Sequence, residues 1–137
     1  RPNFGVQIDF CHSLMARERP AAAAARALAV GKLYGVHLND GYGPADDGLP
    51  VASVHLWETL ELLWYLRVFG YRGTIYFDTF PERVDPRSEA AHNVAVVQQL
   101  DRLLDRLSAD ELRSLQRERD SLGVTRLIRG LVLEMAE

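Results

Sequence analysis

Apolar residues in the N-terminal part of the chain fall into two patterns, short runs containing β-branched residues and longer stretches at helical spacing. GVQIDF, residues 5–10, stops at the polar cluster Cys11, His12 and Ser13, which predicts a strand. LYGVHL (residues 33–38) and TIYF (residues 74–77) repeat the pattern. The second run is followed by a long loop over residues 39–53, and the third ends at Asp78 ahead of Pro81. Between the strands the spacing changes. Pro20 sits at a tolerated first-turn position before the alanine-rich run 21–29, and Gly31 ends a predicted helix there. Residues 54–69 carry Leu56, Leu60, Leu63 and Phe69 beside Leu62 and Leu66. Most of that helix's circumference is therefore apolar, as expected of a helix pressed between neighbours, and Gly70 closes it.

Pro86 opens a further helix, and from Ser88 onward only helices are predicted. Val94, Val97, Leu100, Leu104 and Leu107 fall at helical spacing, Ser108 with Glu111 three residues on forms an N-cap pattern, and Gly123 separates a last amphipathic piece. The order is βαβαβα followed by helices, which argues for a parallel sheet with crossover helices. Two domains are expected: residues 1–87, the three βα units, and residues 88–137, a C-terminal helical extension. Three strands fit either a small open α/β domain or the last part of an eight-stranded (β/α)8 barrel.

Composition narrows the partners. With 16 Lys and Arg against 19 Asp and Glu, the chain has no basic field to hold a phosphate backbone, so nucleic acid is not expected as a partner. No apolar run is long enough to span a bilayer, and the N-terminus has no secretory pattern, so a cytoplasmic protein without membrane association is expected. The single cysteine, Cys11, rules out a disulfide within the chain and favours a reducing compartment. The first residue is Arg1, and an apolar run begins within a few residues of it, as in a piece of a longer protein.

The candidate chemistry lies at the strand ends. In parallel βα folds ligands bind at the carboxyl ends of strands, and there the chain places Asp9, His37 and Asp78, with His12 three residues beyond Asp9. Oxygen ligands with one or two imidazoles suit Mn²⁺, Mg²⁺, Co²⁺ or Zn²⁺, and strand alternation would turn Cys11 away from its neighbours. Each residue also has a plainer role. An Asp after a strand commonly caps a turn or helix, His37 in an apolar run reads as a core histidine, and Asp46 and Asp47 sit among Gly and Pro where acids are usually solvated. Against that, long loops leaving such strands commonly carry function. His55 reads as a helix-start residue, and His92 lies on an exposed helix with no role assigned.

GVQIDFCHSL, LYGVHLNDGYGPADDGL, SVHLWETLELLWYL and YRGTIYFDTFP together resemble the last three strands of the xylose isomerase-like TIM barrels, nearest the L-rhamnose isomerase and sugar isomerase or epimerase branch. The resemblance covers roughly residues 1–90, and its most specific part is the HxND stretch with its acid-rich loop. It implies the C-terminal βα units of a (β/α)8 barrel, a tetrameric enzyme and interconversion of an aldose and a ketose with two divalent metals, commonly Mn²⁺. By that resemblance Asp9 serves both metals, His37 and Asp78 bind the structural metal, and His12 and Asp46 belong to the catalytic one. Asp46 and His12 are then the catalytic candidates, and Phe10, Tyr42 and Phe80 candidates for the apolar side of a sugar pocket. Gly48 stands where the pattern has a third acid, and Pro44 and Ala45 lengthen the loop. The family's strand-5 glutamate would precede Arg1, so the chain by itself is expected to have impaired activity or none. Sugar epimerases and abasic-site endonucleases of the same superfamily share Asp-x-x-His, but the endonucleases' Asp-x-His is absent after the second strand. A chain with no catalysis, whose helices serve assembly, is the reading from outside enzymology.

Overall fold

The computed structural model describes residues 1–133; the last residues of the expected helical extension, 134–137, lie outside the described residues. The fold is mixed α/β, with a three-stranded parallel sheet in the order β1-β2-β3 and, among the described residues, six helices. β1 (Val6–Asp9), β2 (Leu33–Leu38) and β3 (Thr74–Phe77) are joined by helical crossovers, so each strand lies beside its successor with no reversal of order.

β1 stops one residue short of the expected strand, and Phe10 instead begins a short helix, α1 (Phe10–Met15). The cause is local. Asp9 Oδ1 accepts the His12 N–H at 3.0 Å and the Ser13 hydroxyl donates to the Asp9 carbonyl at 2.7 Å, so the polar cluster read as a strand end is an N-cap and first turn. Cys11 is therefore helical and buried, which corrects the orientation inferred from strand alternation.

α2 (Pro20–Ala29) starts with proline at its first position, and Gly31, at φ +65°, follows its end. α3 (Leu56–Val68) buries Leu60, Leu62, Leu63 and Leu66, packs against α2, and gives way to Gly70 at φ +63°. Val36 and Leu38 of β2 and Leu62 of α3 are fully buried, and each removes enough apolar surface from water to contribute about 1.5–3 kcal/mol. Parallel register and alternation put Gln7, Asp9, Gly35, His37, Thr74 and Tyr76 on the other, more polar face of the sheet.

α4 (Pro86–Asp105) opens on Asp85, whose carboxylate accepts the Ser88 N–H and hydroxyl, each at 2.8 Å; these bonds hold its carboxyl below the usual range. The chain forms two compact units, residues 1–98 and residues from 99 onward; the division falls inside α4, whereas the expected boundary at 87/88 marks the start of that helix. In the second unit Leu100, Leu103, Leu104 and Leu112 are buried, and α5 (Ala109–Glu118) starts on Ser108, whose hydroxyl accepts the Glu111 N–H at 3.2 Å. α6 (Ser121–Leu133) includes Gly123, which does not divide two pieces. A Cβ there would lie 2.5 Å from Asp120 Oδ2 and 2.6 Å from Leu115, while the Gly123 N–H donates to Asp120 at 2.8 Å, so glycine lets the helix start close against its cap and α5.

Candidate metal centre

β1 and β2 are in register so that Asp9 faces His37, and His37 in turn faces Tyr76. Asp78 follows β3 on the same face. Around one imidazole, Asp78 Oδ2 lies 2.9 Å and Asp9 Oδ2 3.4 Å from His37 Nδ1. The three offer one ligand atom each within 4.8 Å of one another, and among the described residues they form the only such group. Two ligands at about 2.1 Å from an octahedral divalent ion sit roughly 3 Å apart, and a tetrahedral ion asks for slightly more. The separations of 2.9 and 3.4 Å from His37 Nδ1 fit that span and the third is no more than 4.8 Å, so the set could hold a divalent ion. All three side chains are partly exposed, His37 by 28%, Asp9 by 16% and Asp78 by 39%, and an ion could reach them.

Asp9 uses its two oxygens differently. Oδ1 caps α1 through the His12 N–H, and Oδ2 turns to His37. The capping role and the ligand role weighed against each other in the sequence thus coexist in one side chain. His37, read as a core histidine, is half-buried and its ring meets the Tyr76 ring edge-on at 5.5 Å.

Gln7, which drew no attention in the sequence, lies two residues before Asp9 on the same face. Its amide Nε2 is 2.8 Å from His37 Nε2. An imidazole that binds a metal through Nδ1 carries its proton on Nε2, and a half-turn of the Gln7 amide presents an oxygen to accept it. Room for this comes from Gly35, where a Cβ would lie 3.0 Å from Gln7 Oε1. A strand position opposite a glycine is the only signal of it in the sequence.

His12 and Asp46 form a separate pair: His12 Nε2 lies 3.2 Å from Asp46 Oδ2. His12 is outside the three-residue group but joined to it through the Asp9 cap. Asn39, fully buried, positions Asp46 by donating to its Oδ1 at 3.3 Å while accepting the Cys11 N–H at 3.1 Å. Asp47 has another task, accepting the Tyr42 N–H at 2.7 Å inside the loop. The buried Cys11 thiol is pushed up to about 12, chiefly by burial and further by Asp46, so it stays a neutral thiol and supplies no thiolate ligand.

The loop over residues 39–53 is more ordered than its composition suggests. Asp40 and Leu49 exchange backbone hydrogen bonds of 2.9 and 2.8 Å, closing a neck. The Asp40 carboxylate, fully buried, accepts the N–H groups of Gly41, Val54 and His55 and meets His55 Nδ1 at 2.8 Å. His55 is thereby the N-cap residue of α3. Gly48 has a steric reason as well as a conformational one. Its φ is +56°, and a Cβ would collide with the Phe80 ring, while the Phe80 backbone N–H donates to the Gly48 carbonyl at 2.8 Å. The ring of Phe80 fills the space a third carboxylate would need.

Of the candidate aromatics, Phe10 belongs to the core, fully buried with its ring 6.5 Å from His55, because it starts α1 and does not end β1. Tyr42 is exposed, and Phe80 lines a cavity beside the loop. Among the described residues no helix is long and apolar enough to cross a membrane. No protein-family profile matches the sequence, and no characterised protein matches it.

Proposed function

We propose that the protein is, or is part of, a metal-dependent sugar isomerase of the xylose isomerase-like (β/α)8 type, nearest the L-rhamnose isomerases, acting on a small open-chain sugar. The observation that carries this reading is the convergence of Asp9, His37 and Asp78 from the ends of three consecutive parallel strands. In a (β/α)8 barrel that end of the strands is where active sites form. The resemblance adds Mn²⁺ as the ion and a tetramer as the working assembly.

In this reading Asp9, His37 and Asp78 hold a divalent ion, with Gln7 fixing the tautomer of His37. When bound, such an ion supplies Lewis-acid polarisation of the sugar's oxygens. This reading puts the substrate's C1–C2 end beside His12, whose side chain is 66% exposed, and Asp46, which is held by Asn39. Asp46 takes the O2 proton and returns it at O1 while the hydrogen on C2 moves to C1, so the aldose becomes the ketose with no net gain or loss of electrons. His12 donates to Asp46 Oδ2 and keeps the carboxylate oriented between those two oxygens.

Direct titration of the chain with Mn²⁺ tests the site. Saturable binding that disappears in His37→Ala and in Asp78→Ala is expected, and unchanged affinity in either variant overturns the reading. Conversion of L-rhamnose and related aldoses by the full-length protein then tests the reaction, with cleavage of abasic DNA as the competing outcome.

A further inference from the structure

Of the three side chains in the strand-end group, His37 is the one whose usefulness depends on how a ring is turned. A carboxylate offers either of two equivalent oxygens, but a half-turn of an imidazole about its outer torsion, which is soft, puts a carbon where Nδ1 was. The contacts that turn His37 correctly in the structure are of two kinds.

The first kind is polar. Asp78 Oδ2 at 2.9 Å and Asp9 Oδ2 at 3.4 Å face Nδ1, and a hydrogen bond to either uses the Nδ1 proton. An Nδ1 that offers its lone pair to a metal has lost that proton, so these bonds cannot orient the ring in both states. Gln7 lies 2.8 Å from Nε2 and selects which atom sits at the far end, but its amide rides on a flexible stem and leaves the tilt of the plane free.

The second kind is apolar and comes from Tyr76. β2 and β3 are in register so that Tyr76 is the direct neighbour of His37, on the side opposite Asp9. The two rings meet with centroids 5.5 Å apart and planes at 73°. Edge-to-face rings attract through their quadrupoles, and tilting the imidazole at that distance loses the attraction. The contact uses no proton, so it is the same whether or not Nδ1 carries one.

We propose that Tyr76 is a positioning residue of the strand-end site: its ring fixes the plane of the His37 imidazole so that Nδ1 faces Asp9 and Asp78 before an ion arrives. Its purpose rests on the metal reading above, whereas the ring contact itself does not.

The test combines relaxation measurements on the isotope-labelled His37 ring in the metal-free whole chain with a Mn²⁺ titration. Tyr76 is 54% exposed, so replacing it should leave the fold intact. The contact is ring against ring, so Tyr76→Phe keeps it and Tyr76→Ala removes it. In the unaltered chain and in Tyr76→Phe the imidazole should be as restricted as the backbone, and in Tyr76→Ala it should show large ring motion. Mn²⁺ should bind Tyr76→Phe as it binds the unaltered chain, and Tyr76→Ala about three- to tenfold more weakly, with the metal-free unfolding midpoint nearly unmoved. Should Tyr76→Ala not fold, Tyr76→Leu, apolar but without a ring, takes its place with the same expected result. An imidazole as restricted in the ringless variant as in the unaltered chain overturns the proposal, as does equal ring motion in Tyr76→Phe and the ringless variant. If the unaltered chain binds no Mn²⁺, the metal reading fails by itself, and the relaxation of the His37 ring still decides the role of Tyr76.

Discussion

Two of the Asp–His pairs in this protein are nearly identical in length. Asp40 meets His55 Nδ1 at 2.8 Å, and Asp78 meets His37 Nδ1 at 2.9 Å. Their surroundings separate them. Asp40 is fully buried, and its two oxygens are filled by three backbone N–H groups and an imidazole, so it holds the loop to the start of α3 and has nothing left to offer a ligand. Asp78 is 39% exposed, shares its histidine with a second carboxylate, and keeps capacity to accept. Pair distance says little about role. The number of donors already satisfied and the access of solvent say much more.

The comparison can be broken most severely at Asp40. Asp40→Ala strands three N–H groups and His55 near the core, and removing one partner from such a buried network costs about 3–5 kcal/mol; denaturant unfolding of the variant should show this loss, whereas Asp78→Ala should keep nearly the whole stability. The converse holds for metal. At a Mn²⁺ concentration of about 100 times Kd, a site present only in the folded chain stabilises it by roughly 2.7 kcal/mol. That gain, read as a shift of the unfolding midpoint, should vanish in Asp78→Ala.

A smaller effect is expected where the loop departs from the resemblance. Gly48→Asp forces a side chain onto a left-handed backbone and into Phe80, and a loss of about 1–3 kcal/mol follows from strain alone; adding Phe80→Ala should recover the steric part but not the backbone part, as unfolding of the double variant would show. Gln7→Met removes the partner of His37 Nε2 and should weaken Mn²⁺ about tenfold by direct titration, with the fold intact. The least effect belongs to Cys11. A thiol pushed up to about 12 has a thiolate fraction on the order of 10⁻⁴ at pH 8. Raising the pH from 7 to 9 should therefore bring no thiolate contribution to metal affinity, and alkylation of the native chain should be far slower than that of free cysteine.

Local features of the chain were legible because local physics makes them. Proline ahead of an alanine run starts α2, Ser108 caps α5, and the β-branched and apolar runs 33–38 and 74–77 form β2 and β3 with those bounds. The residue types at the strand ends were equally legible, since a metal-capable side chain after an apolar run needs no tertiary information to be seen. The sequence was misleading where one short pattern serves two purposes. Asp9-Phe10-Cys11-His12 reads as a strand end followed by ligands, yet the Asp9 carboxylate also nucleates α1, and that turn sends Phe10 and Cys11 into the interior.

What the sequence by itself determined was the order of strands and helices and the inventory of acids and imidazoles at the strand ends, because periodicity, caps and breakers act over a few residues. Only the tertiary structure decided the assignments: Asp40 to structure, Asp46 to His12, Asp47 to its own loop, and Asp9, His37 and Asp78 to one another. Each depends on contacts between residues distant in the chain. Which donors a carboxylate already has, and which face of the sheet it shares, exists only once the strands are in register.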